Sequence, residues 1–319
     1  MFGVEIEAEG AGLYIPENKF WRQEADGSLR AKPECCEYVF KEPLSYEDSI
    51  TAVGWLNAQH KKNGTVLNWS FRCSTHVHLN VQDMELSALL RLIYLYYIFE
   101  NLLVKWSGEE REGNRFCLRL KDSSEIPFVI ENVFRNNFRG LNENQVRYSA
   151  LNLGSLIKYG SIEFRSLSGT TDRERLSKWL NGIISLRDYA VQAKSLNQLF
   201  EKAKGNLNSF GKEVFGEFFS ELRYMNWEFD ALYNMSLCIN FIPLYEEVLE
   251  NEKDFDRRLQ EREQQRKADE EHLAKMLNAN KKRIAVEARR GGQIDFPELG
   301  QFRPEPENVW VELNNLEPN

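Results

Sequence analysis

The 319-residue sequence lacks several features that would mark a secreted or nucleic-acid-binding protein. Its five cysteines are odd in number and form no CxxC pair, which argues against a disulfide framework or a four-cysteine zinc site. Basic residues are not in excess, since 41 Lys and Arg stand against 49 Asp and Glu, so we expect no general nucleic-acid binding. Acidic residues among the first nine positions are unlike a signal peptide. Together these features lead us to expect a cytoplasmic protein.

Long uncharged hydrophobic runs are also missing. The most apolar stretch, residues 86–106, is interrupted by Arg91, Glu100 and Lys105, so its longest uncharged run is too short to cross about 30 Å of hydrocarbon. We interpret this stretch as a helix that is buried on most sides, and we expect no membrane association. The overall composition, 42% hydrophobic and 28% charged, is typical of a folded globular protein.

The common nucleotide-binding and hydrolase motifs GxGxxG, GxSxG and HExxH are absent. Alternating apolar and polar residues instead predict strands at 2–9, 34–40, 75–81, 115–120, 148–153 and 161–167. Helical spacing and capping pairs predict helices at 45–60, 85–106 and from the Thr171–Glu174 capping box to about residue 250. Strands that precede helices favour an α+β fold with a mainly antiparallel sheet. Residues 251–290 are predicted to form a long charged helix, and 291–319 an extended or disordered tail.

Three of the predicted strands carry a pair of ionisable residues on one face. Residues i and i+2 of a strand point to the same side of a sheet. The pairs are Glu5 with Glu7, His76 with His78, and Glu163 with Arg165. Each pair therefore projects together, while the apolar residues between them point to the opposite side.

This pattern predicts a metal site, because a divalent cation removes the repulsion between neighbouring carboxylates. The candidate ligands are Glu5, Glu7, His76, His78 and Glu163, with Glu37 on the second strand as a further carboxylate. Oxygen-rich ligand sets favour Mg²⁺ or Mn²⁺, whereas Zn²⁺ would suit a site that uses both histidines. Arg165 beside such a site indicates a phosphate, unless it only forms a salt bridge with Glu163.

The sequence contains two further groups of polar residues. Arg119, Arg135, Arg139 and Arg147 form a loose basic group that could hold nucleotide phosphates or could simply be surface residues. His60 and His272 lie on predicted helices in polar surroundings, and we expect both on the surface.

Several short motifs, taken in order over residues 1 to about 190, resemble those of the amidoligase family. The family consists of carboxylate–amine ligases related to glutamine synthetase and glutamate–cysteine ligase. The matching pieces are Gly3-Val4-Glu5-Ile6-Glu7, Asp26-Gly27-Ser28-Leu29, Glu37-Tyr38-Val39, Cys73-Ser74-Thr75-His76-Val77-His78, Arg147-Tyr148 with Asn152, and Tyr159-Gly160-Ser161-Ile162-Glu163-Phe164-Arg165 followed by Gly169-Thr170.

The resemblance implies a curved, mainly antiparallel sheet of the glutamine-synthetase type, with helices on one face and residues 1–250 as the catalytic domain. The open face would hold ATP and two or three Mg²⁺ or Mn²⁺ ions. The implied metal ligands are Glu5, Glu7, Glu37, Glu163 and His76 or His78, with Glu7, Glu163 and Arg165 as the catalytic group. Arg165 would contact the transferred phosphate, and Arg147 the nucleotide or substrate. The substrates would be a carboxylate and an amine of unknown identity.

Two alternatives stay open at this point. The first is a zinc-dependent hydrolase that uses His76, His78 and a glutamate around a metal-bound hydroxide. The second is a non-enzymatic scaffold, in which residues 252–319 bind a protein partner or a second copy of the chain.

Overall fold

The computed structural model describes residues 1–30, 34–123, 125–136, 138 and 146–289. The chain divides into two units, Met1–Phe255 and Asp256–Asn319. The described part of the second unit is the continuation of one helix, and its side chains are exposed over residues 256–279. The predicted tail at 291–319 lies outside the described residues.

The strands and helices of the described ranges run in the following order. The strands are β1 (Phe2–Ala11), β2 (Trp21–Glu24), β3 (Glu34–Phe40), β4 (Val66–Leu67), β5 (Ser74–Asn80), β6 (Leu151–Asn152) and β7 (Ser161–Ser168). The helices are α1 (Tyr46–Asn63), α2 (Leu86–Ser107), α3 (Glu125–Arg135), α4 (Ser155–Tyr159), α5 (Arg173–Gln192), α6 (Leu196–Gly205), α7 (Leu207–Phe215), α8 (Phe219–Leu222), α9 (Trp227–Leu237) and α10 (Phe241–Arg289).

One open sheet organises the first unit. Its strand order is β2-β3-β1-β5-β7-β6, and the short β4 pairs with the end of β1. The strand pairings within the described ranges are antiparallel. The predicted mixed α and β architecture with a mainly antiparallel sheet and packed helices is therefore confirmed.

The two faces of the sheet differ because the strand residues alternate. Val4 and Ile6 of β1 and Phe164 of β7 are buried on the face that packs against helices. Tyr96 of α2 contacts Phe164 edge-on, with 5.5 Å between the ring centroids. Apolar burial of this kind fixes the register, since a shift of one residue would turn every core side chain to the opposite face. The ionisable side chains are consequently held together on the other face.

Helix α2 forms the centre of the core, as its apolar sequence predicts. Among the helices of the described ranges it has the length and apolar composition of a membrane span, and that stretch is wholly buried within the protein. No side chain of its own caps its first turn. The Ser87 amide instead donates to Oε1 of Glu252 on α10, over 2.8 Å. An acidic group at this end satisfies a free backbone donor and complements the helix dipole.

Three local predictions were wrong. Residues 115–120 form no strand, because the Leu120 amide donates to the buried Glu100 carboxylate (2.7 Å) and starts a short 3₁₀ helix there. The strand predicted at 148–153 is reduced to Leu151–Asn152. The chain turns just before it, where the Ser149 amide donates to the Val146 carbonyl over 3.0 Å. Helix α5 is capped by Asp172 rather than Thr171, since the Asp172 side chain accepts from the Glu174 and Arg175 amides.

His60 is also placed differently from its prediction. It is 3% exposed rather than on the surface, because the end of α1 packs against β3. Its Nε2 lies 3.0 Å from the hydroxyl of the buried Tyr38. Burial lowers the pKa of His60 to about 4, so the neutral form is held in the core.

Candidate active site

The strand register brings the predicted site residues into one row on the open face. Glu7 lies opposite Glu37 across β1 and β3, and Glu5 lies opposite His76 across β1 and β5. His78 lies opposite Glu163 across β5 and β7, and Asn152 of β6 lies opposite Glu163 on its other side. Residues directly opposite in an antiparallel pair have adjacent side chains. The sheet therefore collects acidic and imidazole groups from four strands and the Asn152 amide from a fifth.

His76 lies at the centre of this row. Its Nδ1 is 3.1 Å from Oε2 of Glu5 and 3.5 Å from Oε1 of Glu163. Its Nε2 is 2.7 Å from Oγ of Ser74. The Ser74 hydroxyl and amide both donate to Oε2 of Glu7. His76 thus links the carboxylates of β1 with the carboxylate of β7.

These contacts indicate which ring nitrogen of His76 carries the hydrogen and which presents a lone pair. Because the Ser74 hydroxyl hydrogen is given to Glu7, the hydrogen shared by Ser74 and His76 comes from Nε2 of the imidazole. A neutral His76 then presents a bare Nδ1 lone pair to the carboxylates of Glu5 and Glu163. A second proton or a cation between these groups removes that repulsion. Metal-binding histidines typically donate their other ring N–H in this way.

Two groups of side chains within the described residues have the spacing of a metal site. Glu5, His76 and Glu163 offer ligand atoms that lie within 4.8 Å of one another, and so do Glu7, Glu37 and His76. We call them the first and second clusters. His76 belongs to both clusters, and His78 belongs to neither. His78 lies beside the first cluster, with Nε2 3.5 Å from Oε1 of Glu5.

Arg165 and Asn152 surround the Glu163 end of the first cluster. Nη1 of Arg165 donates to Oε1 of Glu163, and Nδ2 of Asn152 donates to Oε2 over 2.7 Å. Burial raises the pKa of Glu163, but the Arg165 charge and the two histidines outweigh it and lower the pKa overall. Arg165 Nε is buried without a hydrogen-bond partner in the described part of the chain. The predicted salt bridge exists, and it leaves one guanidinium donor for another acceptor.

The opposite end of the row is strongly acidic. Burial, and then the charges of Glu5, Glu7, Asp26 and Glu24, raise the pKa of Glu37 to about 8. Burial also raises the pKa of Glu7, although His76 and Ser74 partly oppose the rise. Crowded carboxylates of this kind are stabilised by positive charge, and a divalent cation supplies more of it than a proton does.

Glu5 behaves differently from Glu7. Burial would raise its pKa, but hydrogen bonds and charge attraction from His76 and His78 lower it well below the usual range. Glu5 is therefore ionised and suited to ligate a cation in the first cluster.

A cavity of about 170 Å³ adjoins the first cluster. It is lined by Glu5, His78, Arg147, Asn152, Gly154, Ser155, Lys158, Tyr159, Glu163 and Arg165. Arg147 is the member of the predicted basic group that reaches this cavity. Arg119 is paired with Asp122, and Arg135 with Glu247, away from the cavity lining. Arg139 lies outside the described residues. A larger groove of about 800 Å³ between α1 and α5 is lined by none of the predicted site residues.

Three residues of the site were not identified as such from the sequence. Asp26, noted only as part of a motif, lies close enough to Glu7 for each carboxyl group to affect the pKa of the other. Ser74 and Asn152 hold Glu7 and Glu163 in place, although each had been noted only as part of a motif. Period-two alternation was the available signal, since Ser74 shares a face with His76. The sequence around Asp26 contains no signal that it belongs to the site, because its position beside Glu7 depends on how the segment after β2 folds back.

Comparison with known proteins gives an independent result. Residues 36–184 match a family described as "Putative amidoligase enzyme". The matched segment includes Glu37, both histidines of β5, Glu163 and Arg165, whereas Glu5 and Glu7 precede it. Residues 36–184 are therefore similar to the amidoligase family, which confirms the resemblance found in the motifs and supports an enzyme with ligase-like activity. No curated protein sequence matches the chain.

Proposed function

We propose that this protein is an ATP-dependent carboxylate–amine ligase that forms an amide bond through an acyl phosphate. The observation that carries the proposal is the position of His76, which is shared by two carboxylate clusters with Arg165 beside the first. Phosphoryl-transfer enzymes need this combination of divalent-cation ligands and an arginine, because charge develops on the transferred group.

The residues present fit Mg²⁺ or Mn²⁺. Each cluster offers two carboxylates and one imidazole, and neither contains both histidines. Such oxygen-rich sets suit hard cations better than zinc. When bound, the cations would neutralise the phosphate oxygens and orient the triphosphate. Glu5, Glu163 and Nδ1 of His76 would hold one cation, and Glu7 and Glu37 the other, because Nε2 of His76 carries the hydrogen that bonds to Ser74.

The first half-reaction activates the carboxylate substrate. A substrate carboxylate oxygen bonds to the γ-phosphorus of ATP, the bond from that phosphorus to the β-γ bridging oxygen breaks, and ADP leaves. Arg165 holds the transferred phosphoryl group with the guanidinium donors that Glu163 does not use. Asn152 fixes the other oxygen of Glu163, so this carboxylate keeps its orientation as the charge moves. Arg147 contributes a second positive charge at the cavity.

The second half-reaction forms the amide. The amine nitrogen bonds to the acyl carbon, the bond to the phosphate oxygen breaks, and inorganic phosphate leaves. Starting from an ammonium and a carboxylate near neutral pH, the balanced reaction yields amide, ADP, phosphate and about one proton per turnover. Asp26, for which burial raises the pKa but hydrogen bonds from Ser28 lower it overall, belongs to neither cluster and supplies negative charge that would attract an ammonium to this end of the row.

The zinc hydrolase is less well supported by these observations. It would require His76 and His78 to bind one ion, but the two histidines fall into no common cluster within the described residues. It also leaves Arg165 without a role, since hydrolysis by a metal-bound hydroxide needs no phosphate-binding arginine.

Isothermal titration calorimetry of ATP binding tests the proposal without knowledge of the amine. The full chain is titrated with ATP in Mg²⁺ and in chelator, alongside Glu7→Gln and Glu9→Gln. Glu9 lies on the same strand but outside both clusters, and it serves as the matched control. We expect Mg²⁺-dependent binding in the parent and in Glu9→Gln and its loss in Glu7→Gln. Absence of nucleotide binding in the parent, together with tight retention of zinc, would overturn the ligase in favour of the hydrolase.

A further inference from the structure

A row of alternating arginine and aromatic side chains borders the candidate active site. We call it the aromatic rim, and it consists of Phe71, Arg72, Arg115, Phe116, Arg147 and Tyr148. The Arg72 guanidinium lies 5.4 Å from the Phe71 ring and 5.2 Å from the Phe116 ring. The guanidinium of the neighbouring Arg115 lies 4.9 Å from the same Phe116 ring. Two segments distant in sequence thus meet through the cation–π contact of Arg72 with Phe116.

The row continues toward the cavity. Phe116 and Tyr148 are in edge contact, with 6.0 Å between ring centroids. The Arg147 guanidinium lies 5.9 Å from the Tyr148 ring, and Arg147 also lines the cavity beside Glu163 and Arg165. At the other end, Nη1 of Arg72 donates to the Ser28 carbonyl over 2.9 Å, next to the turn that carries Asp26. The aromatic rim therefore reaches the site at both of its ends.

A buried arginine fixes the aromatic rim relative to β7. Arg111 is fully buried, and its guanidinium donates to the carbonyls of Ser166, Arg165 and Phe71. Asn114 Nδ2 donates to the same Phe71 carbonyl over 2.8 Å. These bonds connect the backbone of the phosphate-binding arginine directly to the rim. The two are thus held at a fixed separation, as a ligand that touches both would require.

The backbone of Tyr148 is anchored by a hydrogen bond, and its ring is exposed to solvent. The Leu118 amide donates to the Tyr148 carbonyl over 2.6 Å, so the backbone that carries the ring is anchored. The side chain is 45% exposed, and that of Phe71 is 52% exposed. Single exposed aromatic residues are ordinary on protein surfaces. A continuous row that alternates with arginine and ends at a phosphate site is instead typical of surfaces that stack planar bases beside anionic groups.

We propose that the aromatic rim binds the purine base of the nucleotide, with Tyr148 as the stacking residue next to Arg147. This inference rests on the proposed ATP-dependent function and adds the location of the base to it. The cavity of about 170 Å³ has room for a phosphoryl group but not for a whole nucleotide, so the base must lie outside it. Tyr148 is an exposed ring of the rim beside the cavity-lining Arg147, whereas the exposed Tyr159 lines the cavity itself.

The test compares ATP with inorganic tripolyphosphate, which carries the phosphates without the base. Binding of each to the full chain in Mg²⁺ is measured calorimetrically for the parent, Tyr148→Ala and Tyr148→Phe. Tyr233→Ala is the control, because Tyr233 on α9 has the same 45% exposure and lies outside the rim. We expect Tyr148→Ala to weaken ATP binding roughly 5- to 100-fold, as for the loss of one base stack. Tripolyphosphate binding should stay unchanged, and Tyr148→Phe should retain ATP affinity.

The outcomes separate this inference from the proposed function. If the parent binds ATP but Tyr148→Ala weakens ATP and tripolyphosphate equally, or neither, the location of the base is wrong and the ligase proposal stands. If the parent binds neither compound, both proposals fail. Phe116→Leu provides a second variant, for which we expect the same preferential loss of ATP binding because the Phe116 ring supports that of Tyr148.

Discussion

Nδ1 of His76 lies 3.1 Å from Oε2 of Glu5, across the pairing of β1 with β5. His78, two residues along the same strand, lies 3.5 Å from the other oxygen of Glu5, yet it falls in neither cluster. The two histidines look equivalent in the sequence. The structure distinguishes them, because the pairing of β5 with β7 is irregular between Thr75 and Val77 and changes which residue of β7 each histidine meets.

This difference predicts unequal effects of two substitutions on metal binding. His76→Ala removes the imidazole ligand of the first cluster and the hydrogen-bond partner of Ser74 beside the second, so we expect Mn²⁺ affinity to fall at the first site by at least about 10- to 100-fold. His78→Ala should change Mn²⁺ binding much less, since it removes only a neighbour of Glu5. Electron paramagnetic resonance of Mn²⁺ titrations gives the number and affinity of sites for each variant. Equal losses in the two variants would contradict the assignment of His76, rather than His78, as the imidazole ligand.

Replacing Arg165 separates phosphoryl transfer from hydrolysis. Arg165→Met retains much of the side-chain volume but removes the charge that faces the transferred phosphate. We expect ADP formation to fall on the order of 10³-fold, as for loss of an arginine that stabilises a phosphoryl transition state. The variant should still bind Mn²⁺, because Arg165 ligates no cation in either cluster. The measurement is ADP release over a panel of carboxylates and amines. Full turnover in Arg165→Met would remove phosphoryl transfer from the mechanism.

The strands that carry the site could be predicted from the sequence, but the pairing between these strands could not. Each of β1, β3, β5 and β7 reads as a period-two pattern, because one face is buried and the other carries ionisable groups. The pairing of Glu5 with His76 and of Glu7 with Glu37 depends on strand order, which no local pattern contains. The family resemblance grouped these residues as metal ligands, but it gave no strand order.

The burial of certain polar residues could not be predicted from the sequence. Arg111 and His60 lie in segments that look solvated, yet both are buried and bonded to distant partners. The interactions that stabilise them come from β7 and from Tyr38, far along the chain. The strand predicted at residues 115–120 was wrong for a similar reason. The Leu120 amide at its end donates to the carboxylate of Glu100, which lies on helix α2.

Glu100 predicts a pH dependence of stability that is independent of the active site. Burial is the largest effect and raises its pKa from 4.5 to about 8. Between these values the folded protein holds a proton that the unfolded chain releases, so the free energy of unfolding falls as pH rises through this window. Glu100→Gln keeps an oxygen for the Leu120 amide and removes the titration. We expect the variant to be more stable than the parent by roughly 2–4 kcal/mol at pH 8, but not near pH 4.5.

Urea unfolding of the parent, Glu100→Gln and the exposed control Glu201→Gln, at pH 5 and pH 8, checks this prediction. The gain of Glu100→Gln over the parent should appear mainly at pH 8, and Glu201→Gln should follow the parent at both values. A gain of equal size at both pH values would show that Glu100 does not titrate in this window.

The end of the catalytic unit can be located by truncation. The sequence suggested a boundary at residue 250, but Glu252 on α10 accepts the Ser87 amide at the start of α2. Removing Glu252 should therefore cost about 0.5–2 kcal/mol of stability, as for the loss of a helix cap. The first unit ends at Phe255, and the described side chains after it are exposed as far as residue 279.

We therefore expect a chain of residues 1–255 to unfold at the same urea concentration as the full protein and to bind ATP in Mg²⁺ with the same affinity. A chain of residues 1–250 should unfold at a lower concentration, and Glu252→Ala in the full protein should reproduce that loss. Comparison of these three proteins separates the effect of the helix cap on stability from the effect of the remaining charged segment. If the 1–255 chain folds but no longer binds nucleotide, residues 256–319 contribute to the site itself. Unchanged binding would instead leave them free to contact a partner, because the chemistry would then be complete without them.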